Sequence, residues 1–323
     1  MKIETNIKSE ELIALALNAE FTSAATLAME DLVNTVPSLR TSAEKIFSLL
    51  FEAKAASLLI CALPYGNVQA EEISVPEAEQ FGDYAIIAPF ARFNYYREAV
   101  KRLQTISREL RRRFGGSKHN FKIFCNSRIP EKILASRSSL GVYGKNTLII
   151  TEEAGSLVVL AAMILPFKLT SGGSESLRRV TASSFKTFPF CTQCDPKYPP
   201  CAAACPTGAL SGADGVLDLS RCIQWYASGN GKSVPDFVRK AWGRRLYGCT
   251  NCQNACPYNK QRITGIKAVE GKLDAYINAK KLLRLPDAEI KGQFKGTAMG
   301  LSWLSPELIR RNAKLALGLA DPV

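Results

Sequence analysis

Two runs of closely spaced cysteines constrain this chain more than any other feature of its sequence. The first run ends at Cys205-Pro206 and the second ends at Cys256-Pro257. With one cysteine between the runs, eight thiols are available: Cys191, Cys194, Cys201, Cys205, Cys222, Cys249, Cys252 and Cys256. A Cys-x3-Cys-Pro ending is typical of proteins that bind two [4Fe–4S] clusters, each held by four thiolates. The sequence therefore predicts two such clusters and a role in electron transfer.

The spacing also predicts which cysteines share a cluster. In the bacterial two-cluster pattern, the cysteine before proline ligates the other cluster, because proline cannot continue the ligand turn. We therefore predict two ligand sets, defined here as set A (Cys191, Cys194, Cys201 and Cys256) and set B (Cys205, Cys222, Cys249 and Cys252). Six residues, Asp195–Pro200, separate the second and third cysteines where two are usual. Cys201 is therefore the ligand that the spacing supports least.

Disulfide bonds and zinc are the alternatives for clustered cysteines. Disulfides need an oxidising compartment, but Met1–Glu4 begins no apolar signal segment, so a cytoplasmic protein is expected. Zinc sites use separate Cys-x2-Cys pairs, which do not account for two Cys-x3-Cys-Pro endings. Cys61 and Cys125 lie outside both runs and need separate explanations.

Length and composition limit the remaining possibilities. The chain has 323 residues, 46% of them hydrophobic, which is enough for two domains with ordinary cores. The longest apolar stretch, Leu157–Pro166, is shorter than the roughly 18 residues of a membrane span, so no membrane partner is expected. The formal net charge of +13 favours a polyanionic partner such as RNA, DNA or anionic lipid. A basic surface that serves only solubility stays open.

Hydrophobic patterns predict an α+β fold with three regions. Residues 1–174 alternate helices and strands as an α/β domain, residues 175–262 form a ferredoxin-like double [4Fe–4S] domain, and residues 263–323 form a short helical region. The predicted helices are one capped by Ser9, Tyr95–Phe114, Pro130–Gly141 and Ser305–Leu317. The predicted strands are Ala56–Leu63, Tyr84–Pro89, Phe121–Cys125 and a hairpin of Asn146–Thr151 with Leu157–Leu165. Basic residues on one face of the Tyr95–Phe114 helix are expected to be solvated, with contact to nucleic acid as the alternative.

The sequence resembles the epoxyqueuosine reductase family over most of its length. Glu131–Ala135 and Leu140–Thr147 match the signature of that family, Gly155-Ser156 matches its hairpin turn, and both cysteine runs match in order. Phe294–Ala298 and Arg310–Ala313 resemble the start of its C-terminal helical region. Members of the family are cobalamin-dependent iron–sulfur enzymes that reduce epoxyqueuosine to queuosine in the tRNA anticodon loop, and they are similar to the core of reductive dehalogenases.

The resemblance implies a nitroreductase-like N-terminal domain that holds base-off cobalamin. It implies an oxidoreductase that takes electrons from a low-potential donor and passes them between two clusters to cobalt. It also implies that the protein binds the tRNA anticodon loop. A monomer is expected. The residues carried over as cofactor-binding candidates are Arg92, Tyr95, Gly141, Gly144, Lys145, Asn146, Thr147 and Ser156. The glycines let the backbone approach a ligand closely, and Lys145 and Asn146 supply donors for corrin amides or a nucleotide tail. The alternative is a helix end and a tight turn.

The chain departs from the family where the proton donor is expected. The catalytic Asp of the family falls on Cys125, or on Asn126 if the register slips by one. Cys125 could be the proton donor, because a thiol with a reference pKa near 8.5 is protonated at neutral pH. The alternative is that Cys125 is a buried strand residue that only packs as a small apolar group. Asn94 and Tyr96 also replace an acid and a histidine of the family. These departures leave two alternatives open: a related corrinoid reductase with another small-molecule or protein substrate, and a non-catalytic ferredoxin-type carrier.

Overall fold

The computed structural model describes residues 6–34, 56–65, 83–127, 129–170, 191, 194–195, 197–211, 215–231, 233–262 and 271–319. Contacts divide the chain into two compact units. Unit 1 comprises Met1–Pro64, Tyr96–Gly144 and Leu148–Pro189, and unit 2 comprises Tyr65–Tyr95, Lys145–Thr147 and Phe190–Val323. Two short segments of the predicted N-terminal domain thus pack with the cysteine-rich part. The predicted boundary at residue 174 lies outside the described residues, so the three predicted regions stay a prediction.

In its described residues, unit 1 is built from one long helix and three shorter ones around an antiparallel sheet. Its strands are β1 (Asn6–Lys8), β2 (Ser23–Ala28), β3 (Ser57–Pro64), β5 (Ile123–Cys125), β6 (Gly141–Tyr143), β7 (Ile149–Thr151), β8 (Val158–Leu165) and β9 (Lys168–Thr170). Its helices are α1 (Ser9–Asn18), α2 (Met29–Asn34), α3 (Tyr95–Phe114, whose first residue packs with unit 2) and α4 (Glu131–Arg137). Strands β2, β3, β8 and β5 form one sheet in that order, and all three pairings are antiparallel.

The two long strands of this sheet form the centre of the unit 1 core. Every residue of β3 is buried, and β3 pairs with β8 from Ser57–Leu165 to Pro64–Val158. The strand predicted at Ala56–Leu63 is therefore confirmed. Ser57 Oγ donates to the Phe167 carbonyl at 2.8 Å, which satisfies a buried hydroxyl at the end of the strand.

The predicted hairpin of Asn146–Thr151 with Leu157–Leu165 is wrong. Strand β7 pairs with β6, whereas β8 pairs with β3 and β5. A bridge between Thr151 and Gly155 closes the turn, but the strands on either side join different sheets. The eight-residue β8 is apolar, and a place between two strands buries it more completely than pairing with a three-residue strand.

Helix α3 confirms the prediction of Tyr95–Phe114. Its buried stripe contains Ala99, Leu103, Ile106 and Leu110, while Arg102, Arg112 and Arg113 form ion pairs with Glu98, Glu109 and Glu11. Part of the positive charge of this helix is therefore paired within unit 1, while Arg97 and Arg108 are exposed. The predicted capping role of Ser9 is wrong, because Ser9 is the first helical residue and Lys8 occupies the cap without a side-chain bond.

Unit 2 contains a small sheet and several short helices. The strands are β4 (Tyr84–Ile87), β10 (Arg245–Tyr247) and β11 (Tyr276–Asn278), and β4 lies in the middle, parallel to β10 and antiparallel to β11. The helices are α5 (Pro200–Ala203), α6 (Ile223–Ala227), α7 (Asp236–Lys240), α8 (Asn251–Asn254), α9 (Pro257–Arg262), α10 (Ala279–Arg284), α11 (Asp287–Gln293) and α12 (Pro306–Ala316). Helix α12 packs on β10 and α10. Within the described part of the chain, no helix is both long and apolar enough to cross a membrane.

Candidate metal centre and cofactor-binding residues

The seven cysteines of the two runs and Cys222 between them lie in or beside short helices and turns of unit 2. Cys201 lies in α5 and Cys252 in α8, whereas Cys222 and Cys256 immediately precede α6 and α9. None of the eight is paired in a disulfide. Short helices leave several backbone N–H groups without helical partners, and these groups can donate to thiolate sulfur. The local fold therefore provides donors around several of the thiols.

The thiols of set A interact with one another. Burial, together with the nearby Cys256 and Cys191, raises the pKa of Cys201 to about 11. Burial also raises the pKa of Cys256, to which Cys191 and Cys194 contribute. Mutual repulsion of this kind requires thiols that are close in space. The structure thus brings all four predicted members of set A together, Cys201 included, despite the six-residue gap.

The thiols of set B are grouped in the same way. Burial raises the pKa of Cys252 to about 12, and Cys249, Cys205 and Cys222 add to the shift. Burial raises the pKa of Cys222 too, with smaller contributions from Cys249 and Cys205. Cys201 of set A contributes more to the shift of Cys252 than Cys205 and Cys222 do. The two sets are therefore neighbours through Cys201 and Cys252.

Backbone donors surround several of the sulfurs. Burial raises the pKa of the Cys205 thiol, but bonds from the Thr207 hydroxyl and from the N–H groups of Thr207, Ala209 and Leu210 outweigh it and lower the pKa overall. The Ala209 N–H lies 3.2 Å from Cys205 Sγ. Similar N–H bonds from Asn259 and Tyr258 partly offset the rise that burial causes in the pKa of Cys256. Such bonds stabilise thiolates and tune cluster potentials, so this donor set fits [4Fe–4S] clusters.

Asn251 supports set B and was not predicted from the sequence. Its side chain accepts from Arg245 Nη2 at 2.7 Å and donates to the Ala204 carbonyl at 3.4 Å, and the thiol of Cys249 contacts its Oδ1 at 3.9 Å. An asparagine inside a Cys-x2-Cys segment gives no sequence signal for this role. Among the described residues, no three His, Cys, Asp or Glu side chains are arranged to hold one metal ion directly. A cubane spreads its four ligands around a larger unit than a single ion does.

The residues predicted to bind cobalamin fall into both units. Arg92, Tyr95 and Lys145–Thr147 belong to unit 2, whereas Gly141, Gly144 and Ser156 belong to unit 1. Gly141 has a local reason to be glycine, because a Cβ there would lie 2.6 Å from the carbonyl oxygen of Ile150 on the paired strand. Asn146 and Ser156 are buried polar residues.

Within unit 2, three of these candidates have clear protein partners. Arg92 Nε donates to the Ile87 carbonyl at 3.0 Å, and the buried Tyr95 ring packs against Phe93 and Tyr65 at 5.3 and 5.9 Å between centroids. Burial raises the pKa of Tyr95 to about 12, although the charge of Arg92 opposes the shift. Lys145 Nζ lies 3.5 Å from the carbonyl oxygen of Asp195, the residue after Cys194. Lys145 is therefore placed beside set A.

Cys125 ends β5 in unit 1, at the position where the acid is expected. Its thiol donates to the Leu160 carbonyl at 3.4 Å. Burial raises its pKa to about 12, and the charge of Glu131 adds to the shift. Glu131 accepts from the N–H and hydroxyl of Ser127 at 2.9 and 3.1 Å, yet burial raises its pKa above the usual range. Asn126, the alternative position, adopts the left-handed region with φ of 51°.

Known proteins give this arrangement a family context. Residues 190–259 match the family model of a 4Fe-4S double cluster binding domain. The predicted resemblance to epoxyqueuosine reductases is confirmed. The chain is 36% identical to the epoxyqueuosine reductase of Bacillus subtilis (strain 168) over 194 residues, which is 58% of this chain and 44% of the relative. It is 30% identical to that of Burkholderia pseudomallei (strain K96243) over 194 residues, or 59% and 44% of the two chains. The matched region thus spans less than half the length of these two relatives.

Solved epoxyqueuosine reductases resemble a larger part of the chain. One Bacillus subtilis structure, described with its catalytic loop swung out of the active site, has a TM-score of 0.71 at 27% identity and covers 95% of this chain and 80% of that chain. Another epoxyqueuosine reductase, crystallised with an epoxyqueuosine-modified tRNA-Tyr stem loop, has a TM-score of 0.68 at 26% identity and the same coverage. The mixed helices and strands of the predicted fold class are therefore confirmed.

Proposed function

We propose that this protein is an iron–sulfur- and cobalamin-dependent oxidoreductase that reduces epoxyqueuosine to queuosine in the tRNA anticodon loop. The grouping of eight thiols into two adjacent sets carries the proposal. The fold of epoxyqueuosine reductases over 95% of the chain directs it to this substrate. The partners are tRNA and a low-potential electron donor, and a cytoplasmic monomer stays a prediction.

The cluster ligands follow from the two thiol sets. Set A would hold one [4Fe–4S] cluster and set B the other, and the clusters supply one-electron transfer when they are bound. Proximity of Cys201 and Cys252 makes the path between the sets short. The N–H groups around Cys205 lower the pKa of its thiol and would favour the thiolate that ligates iron, whereas those around Cys256 offset only part of the effect of burial.

The cobalamin part of the proposal rests on the family resemblance and on the chemistry of the remaining donors. Asn146, Thr147 and Ser156 offer an amide and two hydroxyls, which are groups that hydrogen-bond corrin amides. Gly141 and Lys145, which the resemblance also assigns to the cofactor, have local contacts as well, in the β6–β7 pairing and beside set A. Bound cobalamin would supply two-electron chemistry at cobalt. The residues of the chain would position the cofactor and supply a proton to the opened epoxide.

A second candidate is a related corrinoid reductase with a different substrate. The observation that favours it is Cys125, whose thiol has a pKa of about 12 where the resemblance implies a carboxylic acid. A thiol with this pKa is a much weaker acid than a carboxyl at neutral pH. A cysteine in place of a carboxylic acid would be sufficient for a substrate whose reduction needs no strong proton donor.

One anaerobic experiment separates the two candidates. The reconstituted full chain would be incubated with cobalamin, desalted, and supplied with a low-potential reductant and a tRNA stem loop carrying epoxyqueuosine. We expect a retained corrin spectrum and formation of queuosine, measured by mass spectrometry of the nucleosides. The Cys252→Ser variant is the control that should lose turnover. Cobalamin retention without queuosine would favour the second candidate, and absence of retained corrin would contradict both.

A further inference from the structure

A three-residue turn between β6 and β7 belongs to the unit that contains the cysteines. Lys145, Asn146 and Thr147 pack with unit 2, and the turn is closed by a 2.9 Å bond from the Gly144 N–H to the Leu148 carbonyl. Thr147 has a φ of 64°, which is unusual for a β-branched residue. A conformation of this kind costs on the order of 1 kcal/mol and persists where the surroundings hold it. The turn is therefore held in a defined position.

The ammonium group of Lys145 lies against the peptide that follows Cys194. Its Nζ is 3.5 Å from the Asp195 carbonyl oxygen. The carboxylate of Asp195 is engaged elsewhere, because it accepts the N–H groups of Lys197 and Tyr198 at 2.7 and 3.1 Å. A Cβ on Gly215 would lie 3.7 Å from the Lys145 Cα, so Gly215 also packs on this residue. The lysine is thus located between two segments of the cysteine-rich part.

The positive charge of Lys145 lies close to set A, because the peptide that its ammonium group contacts directly follows Cys194. The same positive charge favours any added negative charge at this site. A [4Fe–4S] cluster gains one negative charge when it accepts one electron, and net charge is one determinant of its potential.

We propose that Lys145 is a positioning residue that raises the reduction potential of the cluster ligated by set A. The inference rests on the cluster part of the proposed function and needs neither cobalamin nor tRNA. The step is the addition of one electron from a reductant to the cluster, without transfer of a proton. The reduced cluster is stabilised by the nearby ammonium more than the oxidised cluster is.

The test is a redox titration of the anaerobically reconstituted full chain, monitored by electron paramagnetic resonance without cobalamin or tRNA. We expect Lys145→Gln to shift the midpoint of one cluster to a more negative potential and to change the other less. Lys145→Arg, which keeps the charge, should titrate like the original protein. Lys118→Gln, which removes an exposed lysine of unit 1, is the matched control and should shift neither midpoint.

Three results would overturn the proposal. The first is an unchanged midpoint in Lys145→Gln with full iron content. The second is an equal shift in Lys145→Arg, since charge would then not be the cause. The third is loss of iron in both Lys145→Gln and Lys145→Met, because the residue would then be needed for assembly rather than for potential. A failed epoxyqueuosine assay leaves this test untouched, so the failure of the proposed function and that of the inference are distinguishable.

Discussion

Cys125 shows how one side chain limits the chemistry available in unit 1. Its thiol is bonded to the Leu160 carbonyl and has a pKa raised to about 12. At neutral pH it is protonated, but it releases its proton far less readily than a carboxyl group does. Glu131 adds a negative charge nearby, so an acid placed at residue 125 would also have a raised pKa.

We predict that Cys125→Asp increases the rate of epoxyqueuosine reduction about 100-fold, because positioned general acids contribute factors of this size. Cys125→Ala should lower the rate by less than about tenfold, since the thiol is a weak donor. Single-turnover assays at several pH values would measure both effects. Abolished turnover in the alanine variant would instead assign the thiol a direct role.

Gly248 is a second residue with a sharp requirement. It adopts φ of 95°, and a Cβ at this position would lie 2.2 Å from the Cβ of Ala88. We predict that Gly248→Ala lowers the free energy of unfolding by at least about 2 kcal/mol, through strain and overpacking. Because Cys249 follows directly, iron content should fall as well.

The matched control is Gly292→Ala in α11, where an added Cβ meets nothing within 4 Å. That change should raise stability by up to about 1 kcal/mol, because alanine favours a helix over glycine. Thermal unfolding and iron analysis of Gly248→Ala and Gly292→Ala would test whether the loss of stability comes from the crowded position of Gly248. Equal melting temperatures would contradict the steric interpretation.

At the scale of elements, β3 places a thiol in the centre of the unit 1 sheet. Cys61 is fully buried, and burial raises its pKa well above the range of a free thiol. Below about pH 8.5, both the folded and the unfolded chain keep this thiol protonated. Above that pH only the unfolded chain ionises, so stability is lost as pH rises towards the folded pKa, by up to about 1.4 kcal/mol per pH unit.

We predict that Cys61→Ala is less stable than the original protein at pH 7, because it removes buried volume. The difference in the free energy of unfolding between the two proteins should be smaller at about pH 10, because only the original protein has a thiol at this position that ionises on unfolding. Denaturant unfolding at both pH values, with the loaded protein under anaerobic conditions, would measure it. A difference that stayed constant would show that Cys61 does not contribute to alkaline destabilisation.

Helix α12 ties the C-terminal region to the segment after Cys222. Asn312 is buried and donates from Nδ2 to the Ala227 carbonyl of α6 at 3.0 Å. We predict that Asn312→Ala costs about 1–3 kcal/mol, because it leaves a buried acceptor without its partner. Lys314→Ala in the same helix is the control and should change stability by less than about 0.5 kcal/mol. Chemical denaturation would compare the two, and equal losses would contradict the assigned bond.

Elements with a local signal were predicted well, and pairings between distant segments were not. Tyr95–Phe114 has a buried stripe at helical spacing, and β3 is a continuous apolar run, so both were recognisable. The cysteine spacing also predicts the two ligand sets, and their assignment to two clusters stays a prediction. The position of β4 between β10 and β11 could not be predicted, because its partners follow more than 150 residues later. The contact of Lys145 with the Asp195 carbonyl could not be predicted either, because nothing local in the sequence indicates it, and the assignment of Lys145 to cobalamin stays a prediction.

At the scale of the whole molecule, the net charge of +13 bears on the proposed RNA partner. Several arginines of α3 are paired with acids of unit 1, so this helix face contributes less free charge than its sequence suggests. We predict that binding of the tRNA stem loop weakens steeply with salt, by about 0.7 log units per log unit of salt for each phosphate neutralised. Fluorescence anisotropy at salt concentrations from about 50 to about 200 mM would measure how the affinity for the stem loop changes with salt. A stem loop without the modification is the control for the electrostatic part, and affinity that does not change with salt would contradict the prediction.

The sheet of β10, β4 and β11 has a consequence for how such a protein can evolve. Its middle strand comes from residues 84–87, whereas the two outer strands come from residues 245–247 and 276–278. Suppose that a genetic exchange replaced only residues 190–259 with the corresponding region of another ferredoxin-type protein. The incoming β10 would then have to pair with β4, which is encoded far upstream in the host gene. The cysteine-rich region is therefore not a freely exchangeable cassette, and the two parts of the gene are expected to be inherited together.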